Sequence, residues 1–239
     1  MDFLEFYTNK GIKLSEFNKK YMEHMDKNKL AIFLSSEETD ICRSYALYIF
    51  YWAHQKENED KTIYLIAHNY EKTLAVKSEL ESLFIRFSIY PKNNTAKQID
   101  FKTGVKVKAW RLHEHVYLSE PIDFAICIDI AETANWRILK LYNVLLPNLE
   151  RSTETRWVIN SYPRGFNLFY NLYTDAEAGK NEFKPKRIYY WEDNQKDGNW
   201  VKDRLDRYGE YVFESKYNLM FKKIFNKNKK NYFGKKWKE

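Results

Sequence analysis

The chain has 239 residues and a formal net charge of +7, from 40 Lys+Arg against 33 Asp+Glu. Two cysteines in this length are not a disulfide framework, and no Cys/His spacing suggests structural zinc. A mean hydropathy of -0.70 argues against a membrane span, the acidic opening Met1-Asp2-Phe3-Leu4-Glu5-Phe6 has no apolar signal-peptide run, and abundant aromatics with little Gly and Pro argue against disorder.

In chain order, a helix is predicted over Leu14 to Met25, with Ser15 as its N-cap. A buried strand follows at Leu30 to Leu34, then a polar turn, then a helix over Asp40 to Gln55 with apolar residues at helical spacing. Thr62 to Ile66 reads as a second buried strand and Glu71 to Phe87 as a second long helix. Ile99 to Phe101 and Val105 to Val107 alternate around Lys102-Thr103-Gly104, a hairpin signal. Phe124 to Ile128 is the most apolar short run and reads as a central strand, followed by a helix over Asn135 to Leu146. Arg156 to Ile159, Phe166 to Ala178 and Arg187 to Tyr190 read as strand, helix and last strand. Val201 to Met220 reads as helical, with a break at Gly209. Short apolar strands alternating with helices indicate an α/β fold with a mostly parallel sheet, helices on both faces and an inserted β-hairpin.

The charge is not spread evenly. Lys222, Lys223, Lys227, Lys229, Lys230, Lys235, Lys236 and Lys238, against Glu239, carry the whole excess of +7. The first 221 residues hold 32 basic and 32 acidic groups and form a neutral body. The expected organisation is an α/β domain over 1–221 and a flexible basic tail over 222–239, or a tail that is simply solvated.

Strand, polar turn and helix over residues 30–55 is the setting of a phosphate-binding loop. Such a loop needs glycines so that backbone N–H groups can surround phosphate, a lysine for the charge, and a Ser/Thr for Mg²⁺. Here the turn reads Ser35-Ser36-Glu37-Glu38-Thr39-Asp40-Ile41, without lysine, and no glycine occurs between Gly11 and Gly104. Its three acids are expected to repel a nucleotide triphosphate by a few kcal/mol. The second element of a nucleotide hydrolase, a strand ending in paired acids, is present only as Asp129-Ile130-Ala131-Glu132, with two residues between the carboxylates. His113-Glu114-His115 offers two metal-type donors without a third, and His68 reads as a polar loop residue. Cys42 and Cys127 read as buried thiols, and Trp52, Tyr64 and Phe124 as core rather than base-stacking rings. Tyr162, Arg164 and Phe166 cluster at a strand end.

The order of these segments resembles the ATPase domain of the large terminase subunit, the DNA-packaging motor of tailed phages, especially the myophage type. The resemblance runs from Leu14 to Phe221. It is carried best by the stretch from Ser161-Tyr162-Pro163-Arg164-Gly165 to Gly179, similar to the family's coupling segment Thr-Thr-Pro-x-Gly followed by Asn-x-Phe-Tyr. Leu65 to His68, Ile99 to Gly104, Phe183-Lys184-Pro185 and Phe213 to Phe221 resemble further segments in the same order. The resemblance implies a P-loop NTPase-like fold of the RecA/ASCE type.

Departures fall on the catalytic motifs. The family's Gly-Lys-Thr falls on Thr39, Asp40 and Ile41, and its early arginine on Ser36 beside Glu37. Its Asp-Glu pair falls near Ile130 and Ala131, or near Asp129, and its coupling threonines fall on Asn160 or Ser161 and Tyr162. The lysine tail stands where the family's nuclease domain would begin. No catalytic residue, metal or cofactor is therefore expected. The leading expectation is a catalytically inactive terminase-ATPase-like phage protein, a scaffold that touches DNA through its tail. The alternatives are a regulatory or structural subunit docking, as part of an oligomer, on an active terminase, portal or other virion protein, and a divergent Mg-dependent ATPase using Asp129 and Glu132. The host cytoplasm or the virion is the expected location.

Overall fold

Alternating apolar residues in short β-branched and aromatic runs build a sheet that is covered on both faces. A computed structural model describes residues 1–112, 121–193 and 196–222. The strands are β1 (Leu30–Ser35), β2 (Thr62–Ala67), β3 (Asn93–Asn94), β4 (Gln98–Asp100), β5 (Lys106–Arg111), β6 (Phe124–Ile128), β7 (Arg156–Ser161) and β8 (Lys184–Ile188). The helices are α1 (Phe3–Asn9), α2 (Glu16–Lys27), α3 (Ile41–Trp52), α4 (Tyr70–Phe87), α5 (Asn135–Arg151), α6 (Leu168–Glu177), α7 (Gly198–Tyr208) and α8 (Glu210–Lys216). The sheet order is β3-β4-β5-β2-β6-β7-β1-β8. Every pair from β5 to β8 is parallel, and β3 and β4 add two antiparallel strands at one edge. β7 lies between β1 and β6, so the strand before the polar turn and the strand before Asp129 are one strand apart.

Strand residues divide between two cores. Ala31, Phe33, Ile63, Leu65, Phe124 and Ile126 face α1 to α4, whereas Ile32, Leu34, Ile66, Cys127 and Ile159 face α5 and α6. The first core is aromatic. Tyr21 stacks on Phe33 with centroids 4.0 Å apart, and its hydroxyl shares a 2.9 Å hydrogen bond with that of Tyr45. Both rings are fully buried, and the mutual hydrogen bond satisfies two hydroxyls that would otherwise be costly there. Among the described residues, no helix is long and apolar enough to cross a membrane.

Several expectations hold at residue level. Ser15 caps α2 by accepting from the Asn18 amide at 3.1 Å, and Gly209 separates α7 from α8 at φ +77. The predicted hairpin is β4 and β5, and β5 also joins the main sheet beside β2. Trp52, Tyr64, Phe124 and Cys127 are buried, while Cys42 is half-buried against the first core. Burial pushes the Cys42 thiol up to about 11 and the Cys127 thiol up to about 12, so neither is a nucleophile at neutral pH.

Helix ends also shift by a few residues, as in α3, α7 and α8, and four larger departures have a physical reason. α1 is an additional helix: Asp2 caps it by accepting from the Glu5 amide at 2.8 Å, and Phe3, Phe6 and Tyr7 are buried. α5 continues through Pro147 to Arg151 instead of stopping at Leu146. Pro147 and Asn143 are both exposed, so the carbonyl that loses its amide partner can meet water. α6 starts at Leu168, because Asn167 caps it by accepting from the Tyr170 amide at 3.0 Å, and Phe166 is left outside. The last strand is Lys184–Ile188, earlier than the apolar Ile188 to Tyr190 suggests. It is an edge strand, where proline and lysine are tolerated and protect against sheet extension.

Candidate functional site

In parallel α/β sheets, ligands are bound beyond the carboxyl ends of the strands. The three loops singled out in the sequence converge at that edge: residues 36–40 after β1, 129–132 after β6, and 161–165 after β7. Ser161 Oγ accepts from the Ala131 amide at 3.1 Å, which ties the second loop to the third. Tyr162 donates its hydroxyl to Glu132, and Arg164 pairs with the same carboxylate at 2.7 Å. Ile130 and Ala131 are buried in a single 3-10 turn, and Gly165 occupies the left-handed region at φ +69. Pro163 contributes its carbonyl, which accepts from Ser215 Oγ at 3.3 Å.

The turn after β1 is closed by the protein itself. The Ser36 amide donates to the Ile188 carbonyl at 2.9 Å, the Glu37 amide to the Lys216 carbonyl at 2.9 Å, and the Ile41 amide to the Thr39 carbonyl at 2.8 Å. A phosphate cradle needs such amides pointing at the ligand; here the Ser36, Glu37 and Ile41 amides already donate to carbonyls. Ser36 Oγ donates to the Tyr217 carbonyl at 2.5 Å and accepts from the Tyr190 amide at 2.9 Å, and Thr39 Oγ1 donates to the Ser36 carbonyl at 2.9 Å. Glu38 adopts φ +61, a conformation that suits glycine and costs a carboxylate residue about 1 kcal/mol or more.

The acids of the turn have partners from the end of the described chain. Lys216 Nζ is 2.5 Å from Glu37, and Arg204 contacts Glu38 through Nε at 2.9 Å and Nη2 at 2.7 Å. The Tyr217 hydroxyl donates to Glu38 at 3.0 Å. Burial opposes the charge of Glu38, but the Arg204 and Tyr217 hydrogen bonds outweigh it and hold the carboxyl below its usual range. The Arg204 guanidinium is raised above its usual value, first by its hydrogen bond to Glu38. Asp40 precedes α3 without a side-chain hydrogen bond to its amides, and burial raises its carboxyl. The repulsion expected from three acids is thus relieved at two of them by Lys216 and Arg204.

A group with a lowered native pKa contributes stability above its unfolded pKa and loses it as pH falls through the native value. Glu38→Gln is therefore expected to cost about 0.5–1 kcal/mol at neutral pH, the scale of a partly exposed pair. The difference should hold down to about pH 5 and close below about pH 4. Urea midpoints of both chains across that range check it.

Asp129, at the end of β6, is 9% exposed and sits at φ +53. Lys72 from α4 approaches it at 3.3 Å. Burial raises the Asp129 carboxyl against the opposing pull of Lys72; burial also disfavours the Lys72 charge, but Asp129 outweighs that and keeps the ammonium protonated. Behind them, Asn160 is fully buried and donates to Ser35 Oγ at 2.7 Å, and its Oδ1 has no hydrogen-bond partner. His68 shares a 2.8 Å hydrogen bond with Thr133, which makes it a polar loop residue. Among the described residues no group of three or more His, Cys, Asp or Glu is arranged to hold a metal ion. His113, Glu114 and His115 lie outside the described residues, as do Lys223, Lys227, Lys229, Lys230, Lys235, Lys236 and Lys238. Lys222 is described and pairs with Glu214.

Lys72 and Arg204 belong to this edge and are marked by no motif; Lys216 and Tyr217 lie in the segment Phe213 to Phe221 that carries part of the resemblance, but nothing in it marks them as partners of the turn. Lys72, Arg204 and Lys216 come from helices whose charged residues look like ordinary solvent-facing positions.

No family model and no curated protein matches the chain by sequence. By structure, the large terminase ATPase domain of Thermus phage P74-26 matches with a TM-score of 0.70 and 12% identity, over 91% of this chain and 98% of that one. The large terminase of bacteriophage HK97 matches with a TM-score of 0.69 and 12% identity, over 87% of this chain and 50% of that one. The large terminase of a thermophilic bacteriophage matches with a TM-score of 0.70 and 10% identity, over 88% of this chain and 54% of that one. The same terminase was also solved with ADP and with ATP-γ-S. In fold, this chain is similar to the ATPase domain of phage large terminases.

Proposed function

We propose that the chain is a phage protein related to DNA packaging that uses the terminase ATPase fold as a binding scaffold, does not hydrolyse nucleotide, and contacts DNA through the lysines from Lys222 onward. The observation that carries this reading is the self-closed turn at 36–40. Its Ser36 and Glu37 amides donate to the Ile188 and Lys216 carbonyls, and Glu37 and Glu38 are paired with Lys216 and Arg204. A triphosphate would have to break these contacts and then meet three carboxylates without a loop lysine or glycine. The tail contributes a concentrated, sequence-independent charge, whose DNA contact falls steeply with salt as counterions are released.

Calorimetry with Mg·ATP tests the first half, and no heat of binding is expected at micromolar to millimolar nucleotide. The second half is tested by duplex binding of the full chain against one with the tail lysines replaced by serine, at low and moderate salt. Equal binding by both would remove the tail from the proposal.

One observation favours a divergent Mg-dependent ATPase instead. Asp129 is buried at the end of the strand where such enzymes place a metal-binding acid, with Lys72 beside it. Mg²⁺-dependent micromolar ATP affinity, lost in Asp129→Asn, would establish that reading.

A further inference from the structure

A cavity of about 420 Å³ lies by the amino ends of β2 and β5, at the edge of the sheet away from the closed turn. Its volume falls in the range of small-molecule sites, about 300–1,000 Å³. Phe84 from α4 and Phe101 after β4 line its inner part; they are 3% and 1% exposed and meet edge to face at 5.2 Å between centroids. Tyr90 and Pro91 line it from the segment after α4, which Ser88 turns at φ +53. Tyr90 is 59% exposed, so the cavity is aromatic at depth and has one free ring at its opening.

His54 lines the same cavity, with its ring 5.8 Å from that of Phe101. Its Nδ1 shares a 2.6 Å hydrogen bond with the Phe50 carbonyl. A carbonyl only accepts, so Nδ1 carries the proton. Burial lowers the imidazole pKa; the Phe50 bond opposes this and the charge of Lys10 adds to it. The ring is therefore mostly neutral at pH 7, and Nε2 is a bare acceptor with no hydrogen-bond partner among the described residues. Glu59 and Lys102 also line the cavity; both are exposed, and among the described residues neither has an ion-pair partner. Their loops are tied together: the Asp60 amide donates to the Thr103 carbonyl at 3.4 Å, and Gly104, at φ +87, leaves the room that Asp60 takes. Opposite charges are thus held at one opening without neutralising each other.

These features suit different parts of one molecule. The rings take a flat apolar body, the bare Nε2 takes an N–H or O–H carried by that body, and Glu59 and Lys102 take an ammonium and a carboxylate. A nucleobase would satisfy the rings and the imidazole but leave Glu59 without a cation. We propose that this cavity binds a small aromatic zwitterion with a donor on its ring, the chemistry of a free aromatic amino acid such as tryptophan or tyrosine. Binding here is separate from the closed turn and from the tail.

Calorimetry of the full chain with L-tryptophan tests it, and saturable binding of one molecule per chain is expected. 1-Methyltryptophan lacks the indole N–H and should bind about fivefold more weakly. Tryptamine and indole-3-propionate each keep one charge and should each bind about threefold more weakly, the scale of an exposed ion pair. His54→Phe keeps a ring and removes the acceptor, so it should abolish the difference between tryptophan and its methyl form. Lys102→Ala, at an exposed position, should leave the unfolding midpoint unchanged and remove the advantage of tryptophan over tryptamine. If His54→Phe lowers the midpoint, the methyl comparison on the wild-type chain decides the role of the imidazole. No saturable binding of tryptophan or tyrosine up to about 10 mM overturns the site. Equal affinity for tryptophan and N-acetyltryptophanamide overturns the zwitterion assignment, and is the result if the cavity takes a protein side chain instead. Equal affinity for tryptophan and 1-methyltryptophan overturns the part given to His54.

Discussion

Tyr217→Ala is expected to cost about 3–5 kcal/mol of unfolding free energy, the range for removing a large buried ring. The ring is fully buried and lies in a cluster with Trp200 at 5.1 Å, Phe213 at 5.1 Å and Tyr208 at 6.5 Å. Its hydroxyl donates to Glu38, and its carbonyl accepts from Ser36. Burial and the neighbouring Glu38 raise the phenol above its usual pKa, so it stays a donor throughout the accessible pH range. Tyr217→Phe keeps the ring and removes only the hydroxyl, at a cost of about 1–2 kcal/mol, because Arg204 still pairs with Glu38. Urea unfolding measures both. Amide exchange adds a local readout: in the alanine variant, residues 36–40 should lose protection before the sheet does. A Tyr217→Ala cost below about 1 kcal/mol would show that the segment after α8 does not hold the turn closed.

Lys72→Ala is the second large expectation. Removing one partner of a buried ion pair costs about 3–5 kcal/mol; because the Lys72 side chain is 41% exposed, about 1–3 kcal/mol is expected. The cost should depend on pH in a defined direction. Without Lys72, the buried Asp129 carboxyl rises further and takes a proton as pH falls, which removes the uncompensated charge. The Lys72→Ala deficit is therefore expected to shrink as pH falls. Asp129→Asn should be close to neutral, since asparagine tolerates the left-handed backbone at this position. The double variant should then be more stable than Lys72→Ala alone. Strict additivity in that cycle would show that the two side chains do not interact.

Much of the architecture was legible in the chain. The apolar runs at Leu30, Thr62, Phe124 and Arg156 are strands because their alternate residues fill two different cores, and periodicity reports that directly. Charged edges were less legible. β8 reads Lys-Pro-Lys-Arg-Ile, and an edge strand needs little apolar content because one side of its backbone is unpaired. The continuation of α5 past an exposed proline and the start of α6 at an asparagine cap are local details that periodicity averages over.

The candidate site divides in the same way. From the residues alone it follows that the turn after the first strand has no glycine or lysine and carries Glu37, Glu38 and Asp40, and that the excess charge lies beyond residue 221. Those are properties of composition at given positions and need no folding. That Lys216 and Arg204 neutralise two of those acids, that Lys72 faces Asp129, and that Tyr162 and Arg164 share Glu132 could not be read from spacing. Arg204 is 166 residues from Glu38, and Lys216 is carried by a separate helix. Such pairs exist only because the parallel strands bring all their carboxyl ends to one edge, where residues distant in the chain meet.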